Sequence, residues 1–403
     1  MKKLKKVSVR RMIFLMGLYF VFANIVHPIE PTIYTDLGFH DYMFGVAMAA
    51  MSLTNFLFAP FWGNLMERYG CAKLTGIAFL GYAFSQYLFA ISKTEPFMAF
   101  ARMMAGIFIS AITVSQLLYL MRYSGRRLRA HYLMVNATVS AVCSPLGYLI
   151  GGVMGEYTIW GTMMAQVVGL AVIGVLFFII LDDRNTEGGA LDVKGLLSDM
   201  NPLKSFGEIR PYLNAALTVF FVIALATNFA GVCYEHSFNY LIKDEYGFSP
   251  AYNGLLKAVV GVVALVSNTT ICSYLLRKTN VRRSTIVVLS VCATMAVSIV
   301  LIKPLVPFIA INVVFFGFNA VYLPLLQDTL TNIAGDRDHG LFAGVFNAVR
   351  SVGSVGGSLV AGFTYAINSR LPFVVTAVLF TLAVVCSVVN YKQLAAKTAA
   401  QKQ

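Results

Sequence analysis

The chain has 403 residues, of which 58% are apolar or aromatic and 12% charged, with a mean hydropathy of +0.73 and a formal net charge of +13. That balance excludes a soluble domain, and the chain divides into apolar runs of about 20 residues, the length that crosses a hydrocarbon core ~30 Å thick. The positive charge does not imply a nucleic-acid partner: with the amino terminus taken as cytoplasmic, 24 Lys and Arg fall on one side of the runs, four on the other (Lys93, Lys243, Lys303, Arg370) and three inside them (Arg102, Lys257, Arg350). This asymmetry is the positive-inside pattern and puts both termini in the cytoplasm, beside anionic headgroups.

Twelve spans are predicted, at 12–34, 45–65, 73–91, 97–121, 131–153, 160–181, 212–242, 252–276, 284–302, 305–326, 340–367 and 371–390. The opening MKKLKK followed by an apolar run has the look of a signal peptide. The run is too long, lacks a small-residue cleavage site and precedes eleven more spans, so it is expected to be a retained first helix.

Span 1 contains ANIVHPIEP, residues 23–31. A charge at the centre of a bilayer costs roughly 2.5 to 3.5 kcal/mol on insertion scales, so Glu30 is a candidate functional residue. At ~1.5 Å per residue, His27 lies ~10 Å and Glu30 ~6 Å below the outer end of span 1, and Arg102 ~8 Å deep in span 4. These three groups share a level. The competing reading is that Glu30 sits in water at a helix end. Pro28 and Pro31 each remove a backbone donor, freeing the carbonyls of Asn24 and His27.

The longest connection, residues 182–211, is polar and Gly-containing and reads as a linker between residues 1–181 and 212–403, six spans each. A repeat supports the division. DLGFHDYMFG, Asp36 to Gly45, and EYGFSPAYNG, Glu245 to Gly254, share the acid, Gly, Phe and final Gly at an offset of 209, which also carries His27 onto His236. Parallel repeats of this kind build transporters with the substrate site between the halves. Glu235, His236 and Lys257 are expected to form the second half's counterpart of the first cluster. Asn24, Asn228, Asn239, Asn319 and Tyr322 are candidates to line a cavity with Lys257. Arg350 is expected to be structural, paired with Asp328 or with helix ends.

The loop after span 2 reads GNLMERYGCAK. Gly63, Glu67, Arg68, Gly70 and Lys73 match the Gly-x-x-x-Asp/Glu-Arg-x-Gly pattern, and the chain resembles the major facilitator superfamily there, with Cys71 and Ala72 where basic residues are usual. Arg102 and Gly106 in RMMAGIFISA, and Pro145, Gly147, Gly151 and Gly152 in SPLGYLIGG, resemble the drug:proton antiporter branch; Ala105 replaces its usual glutamine, and the two last glycines stand farther from Pro145 than the pattern has them. Those glycines also serve close helix packing on their own. The resemblance implies an all-α membrane fold of twelve helices in two pseudo-symmetric six-helix bundles, a cytoplasmic gate at the Glu67–Lys73 loop and proton coupling through Arg102. It also implies an Arg102–Glu30 ion pair, because spans 1 and 4 both line the central cavity in that fold.

No Walker A, G-x-S-x-G, H-E-x-x-H or G-x-G-x-x-G sequence is present, so neither nucleotide hydrolysis nor enzyme chemistry is expected. The six cysteines form no disulfide or zinc pattern. The expected function is proton-coupled efflux of lipophilic, drug-like molecules by a monomer without cofactor or metal, in a bacterial cytoplasmic membrane. The alternative is proton-coupled import of a small polar or anionic nutrient.

Overall fold

Inside hydrocarbon a chain must satisfy its own backbone polar groups, which leaves the helix as the local solution for runs of this kind. The computed structural model describes residues 2–124, 128–181, 209–334 and 339–400, and among these it is helical with no strand. In chain order the helices are α1 (Lys2–Asn24), α2 (Glu30–Asp36), α3 (Met43–Tyr69), α4 (Cys71–Ala90), α5 (Glu95–Tyr123), α6 (Arg129–Tyr157) and α7 (Ile159–Ile180). They continue with α8 (Ala215–Asp244), α9 (Pro250–Ser267), α10 (Ser273–Lys278), α11 (Val281–Leu301), α12 (Leu305–Ala334), α13 (His339–Ile367) and α14 (Leu371–Ala400). With α2 continuing α1 and α10 continuing α9, these make twelve spans of an integral membrane protein. Nine spans among the described residues are long and apolar enough to cross a bilayer on composition alone. The other three belong to α1, α4 and α13, and two of these are diluted, α4 by Lys73, Thr75 and Gln86 and α13 by Arg350 with a series of Ser and Gly.

Span 1 departs from the expected single helix over 12–34: it breaks after Asn24 and restarts at Glu30, with Pro31 in the first turn of α2. Pro28 has no N–H to continue α1, and Pro31 sits where a missing N–H costs nothing. Span 8 contains a π-helical turn at Asn268–Cys272, between α9 and α10. The predicted linker at 182–211 lies outside the described residues as far as 208.

Two compact units divide the described helices. The first comprises Met1–Phe39, Ala50–Pro202 and Ile242–Gly261, the second His40–Ala49, Leu203–Leu241 and Val262–Gln403. Each unit therefore includes a short helix start from the other half of the sequence, and glycines show why. In the first unit, a side chain on Gly254 of α9 would meet the Tyr148 carbonyl and the Gly152 backbone of α6 at 2.5 to 2.8 Å. In the second, Gly45 of α3 approaches the backbone of Ser358 and Gly362 in α13 just as closely. Gly45 and Gly254 are repeat-related positions. So are Gly38 and Gly247, which turn the chain into α3 and α9 at φ +66° and +63°, a left-handed conformation that residues with a Cβ seldom adopt.

Each unit has its own aromatic core. Phe79 and Phe177 join α4 to α7 with ring centroids 5.0 Å apart, and Tyr234 of α8 stacks on Phe315 of α12 at 3.6 Å. The Tyr234 hydroxyl donates to Asn312 Oδ1 at 2.6 Å, so this buried phenol also satisfies its polar end.

Candidate functional site

The break in span 1 places three ionisable side chains together. Arg102 Nη2 of α5 lies 2.5 Å from Glu30 Oε1, and His27 Nδ1 lies 3.2 Å from the same oxygen. Arg102 and Glu30 are each 2% exposed, whereas the His27 side chain is 28% exposed. Glu30 is thus a buried charge and not a solvated helix end, which removes the competing reading. The guanidinium carbon of Arg102 lies 3.8 Å from the centre of the Phe89 ring, an added cation–π attraction in a desolvated place.

Around this pair are polar side chains that the sequence did not single out. Tyr34 of α2 and Tyr82 of α4 stand within electrostatic reach of both Arg102 and Glu30. Tyr34 Oη, Gln86 Oε1 and Arg102 Nε are buried with no hydrogen-bond partner of good geometry. A phenol or long amide inside an apolar run usually serves helix packing or the membrane interface, so only the three-dimensional arrangement separates these residues from that ordinary role.

Carbonyls at the break are occupied by protein groups. Gln166 Nε2 of α7 donates to the Ala23 carbonyl at 3.0 Å, and Asn253 Nδ2 of α9 donates to that of Pro28 at 2.8 Å. The Asn24 amide turns back to the Phe20 carbonyl at 2.6 Å, which makes it a helix-end group rather than a cavity donor. The break is therefore held open by amides from two other helices.

Lys257 belongs to the first unit, where its ammonium lies 5.0 Å from the centre of the Tyr148 ring, and that ring centre is 6.0 Å from the centre of the His27 ring. Glu235 and His236 belong to the second unit, with Glu235 exposed and His236 half-buried on α8.

In the second unit Asn228 is already engaged, donating to the Arg350 carbonyl at 2.6 Å and to Ser354 Oγ at 2.8 Å, so it fastens α8 to α13 and does not line a cavity. Asp328 accepts from Asn332, one turn on, and forms no ion pair with Arg350 among the described residues. Arg350 instead has Phe346 at 5.8 Å and Tyr322 within electrostatic reach. Asn319 and Tyr322 both point at the bare backbone of Gly231. Asn239 is half-buried with its Oδ1 unpartnered.

At the end of α3, Gly70 adopts φ +95° and hands the chain directly to α4, the tight turn its motif position predicts. Glu67 and Arg68 are exposed, and Arg122 of α5 donates to the Glu67 carbonyl at 3.1 Å. Lys73 is in the first turn of α4, three positions after Gly70. Gly63 is not a close approach: a Cβ there would meet only Val114 at 3.9 Å. The tight positions are Gly106, against Met51 and Thr54, Gly147 and Gly151, against the Val21 and Ile25 carbonyls, and Gly152 against Pro250 and Gly254. Pro145 lies against Gly261, so α6 packs through small residues on both α1 and α9.

Twelve membrane-crossing helices with a buried ion pair at a helix break define a polytopic membrane transporter, not an enzyme. Residues 12–355 match the Major Facilitator Superfamily, and the chain belongs to it. It is 22% identical over 381 residues to Multidrug resistance protein 2 of Bacillus subtilis (strain 168), covering 92% of each chain. It is 23% identical over 402 residues to Quinolone resistance protein NorA of Staphylococcus aureus, covering 94% of this chain and 95% of that one. Among solved structures it is similar to a bacterial homolog of the human lysosomal transporter Spinster, inward-facing and unoccupied, with TM-score 0.76, 11% identity and coverage of 96% and 97%. The nucleoside transporter NupG gives TM-score 0.71 at 12% identity, with coverage of 96% and 99%. At such identity the structural likeness speaks for the fold alone.

Proposed function

We propose that this transporter exports lipophilic small molecules in exchange for protons, by alternating access across a bacterial cytoplasmic membrane, with both termini cytoplasmic and six spans on either side of the 182–211 segment. Relatives named for multidrug and quinolone resistance support the substrate class. The proton supplies the energy, no cofactor or nucleic acid takes part, and the monomer is the working unit.

One observation carries the coupling: a buried carboxylate, Glu30, bonded to a buried arginine and touched by a histidine that reaches solvent. Protonating Glu30 removes the charge that holds Arg102, so conformations that keep and break the pair differ in proton affinity and a proton gradient biases one over the other. His27 is the accessible member and is placed to pass the proton.

Everted vesicles energised with a proton gradient should accumulate an amphiphilic dye, and Glu30→Gln, which mimics the protonated acid, should lose that uphill accumulation while keeping dye binding and downhill exchange. Uphill transport by Glu30→Gln at the wild-type rate and pH profile would remove Glu30 from the coupling. Import of a small polar or anionic nutrient is the second reading, favoured by the density of charge near the break in span 1; accumulation by right-side-out cells and not by everted vesicles would select it.

A further inference from the structure

Arg350 of α13, Tyr322 and Asn319 of α12 and the bare backbone of Gly231 in α8 form, we propose, a subsite for a singly charged carboxylate on the transported molecule. Arg350 stands ~17 Å from the start of a 29-residue helix, well inside the membrane-crossing length. Its Nε is buried without a partner, and no carboxylate pairs with it among the described residues. An arginine at that depth costs roughly 2.5 to 3.5 kcal/mol on insertion scales, and buried ionisable groups in spans normally pair with one another. Arg102 follows that rule and Arg350 does not.

Two more unsatisfied groups lie beside it. Asn319 Oδ1 is buried and unpartnered, and the Tyr322 hydroxyl makes no hydrogen bond among the described residues. Both converge on one point: a Cβ added to Gly231 would lie 3.3 Å from Asn319 Oδ1 and 3.5 Å from Tyr322 Oη. Glycine leaves that point clear, with an amide and a phenol facing it and the guanidinium within electrostatic reach of the phenol.

The position of Arg350 is fixed from behind. Asn228 holds its carbonyl at 2.6 Å and Ser354 Oγ at 2.8 Å, and Gly353 and Gly357 bring α13 against the α8 backbone at Leu225 and Phe229. The planar guanidinium and the phenolic O–H supply the donors for the two oxygens of a carboxylate. Asn319 Nδ2 stands farther off, at 3.9 Å from the Gly231 point, while its Oδ1 is left for an N–H or O–H elsewhere on the molecule. Phe346 and Phe380, beside Arg350 and Tyr322 respectively, offer apolar walls for the rest of an aromatic acid. One cation without a lysine neighbour suits a single negative charge better than a phosphate dianion.

This inference rests on the reading of the chain as a secondary transporter, and a matched probe set separates the two. Dansylglycine, dansylglycinamide and dansylcadaverine share a fluorophore and differ in charge. Binding to purified wild type, followed by dansyl emission, should favour dansylglycine over its amide. Arg350→Gln should weaken dansylglycine about tenfold or more, as expected for a lost charge-assisted bond, and change the amide less than about twofold. Arg350→Lys should recover part of the loss. Tyr322→Phe, which keeps the ring, should weaken dansylglycine by a few-fold and serves as the folding-neutral variant. Equal weakening of all three probes by Arg350→Gln, or no preference of wild type for the acid over the amide, overturns the subsite. Proteoliposomes that concentrate dansylcadaverine under a proton gradient but show no such preference keep the proposed efflux and lose the subsite; failure to move any probe under a proton gradient removes the proposed efflux reading itself.

Discussion

Arg102 has its guanidinium 2.5 Å from Glu30 and 3.8 Å from the centre of the Phe89 ring, whereas Arg350, in the second unit, has an aromatic neighbour and no carboxylate. Both arginines lie inside membrane-spanning helices, but Arg102 is 2% exposed and Arg350 half-buried, so the first incurs the larger desolvation. The first offsets it with a counter-charge from its own chain, which turns a costly group into a latch between α2 and α5. The second is moored by its backbone and left with donors unspent. In the proposed cycle the satisfied charge switches when a proton arrives, and the unsatisfied one takes its partner from the transported molecule.

The sharpest way to break this contrast is to remove each arginine in turn. Arg102→Leu strands Glu30 as an uncompensated buried charge, a loss of roughly 3 to 5 kcal/mol that should appear as low folded yield and an early thermal transition in detergent. Arg350→Leu removes an unpaired charge and should unfold at or above the wild-type temperature. Combining Glu30→Gln with Arg102→Leu should restore most of the lost stability, because the stranded charge is gone. If Arg102→Leu and Arg350→Leu unfold alike, the two arginines are in equivalent surroundings and the comparison collapses.

A second set of variants tests the glycine crossings that assign the start of α3 to the second unit and the start of α9 to the first. Gly45→Leu and Gly254→Leu drive a side chain into facing backbone and should each cost about 1 to 3 kcal/mol, with backbone shifts as the only relief. Gly63→Ala is the internal control and should behave as wild type, its nearest neighbour being Val114 Cγ1 at 3.9 Å. Loss of transport in Gly63→Ala would mean that another conformation closes on this glycine.

Hydropathy and proline placement made the twelve spans and the weak point of span 1 legible before any coordinates. Depth counting brought Glu30 and Arg102 to one level, because span 1 ends and span 4 begins at the same membrane face, and the family resemblance put the two spans side by side. The repeat was legible too, and it returns as matched left-handed turns at Gly38 and Gly247 and matched close approaches at Gly45 and Gly254. Tyr34, Tyr82 and Gln86 were invisible because an isolated phenol or long amide in an apolar run usually serves helix packing or the membrane interface. Arg350 looked structural for the opposite reason, since the absence of a partner is a property of space and not of spacing.

Asn228→Ala sharpens the comparison from behind the second arginine. It removes the side-chain donor from the Arg350 carbonyl and leaves Ser354 Oγ without its partner, at about 1 to 2 kcal/mol, and loosens α13 on α8. Dansylglycine affinity should fall with it, while Glu30-dependent proton coupling should be unaffected. A coupling defect equal to the binding defect would show that the two arginines act as one device.

The smallest effect belongs to Glu235→Gln. Glu235 lies one turn beyond Gly231 on α8, exposed, and its charge reaches Tyr322, which also faces Arg350. In the resting protein it is a like charge near the place where a carboxylate is to bind, and an opposite charge for a cationic probe at the same place. Solvent screens it, so removing it should tighten dansylglycine only about two- to threefold and weaken dansylcadaverine by a similar factor. Raising the salt concentration to ~1 M, where the screening length shrinks to about 3 Å, should erase both differences. The signs are what matter, because they must be opposite for the two probes. If Glu235→Gln weakens dansylglycine instead, the carboxylate of Glu235 is positioning Tyr322 or Arg350 for the anion, and the second arginine is after all organised by an acid of its own chain.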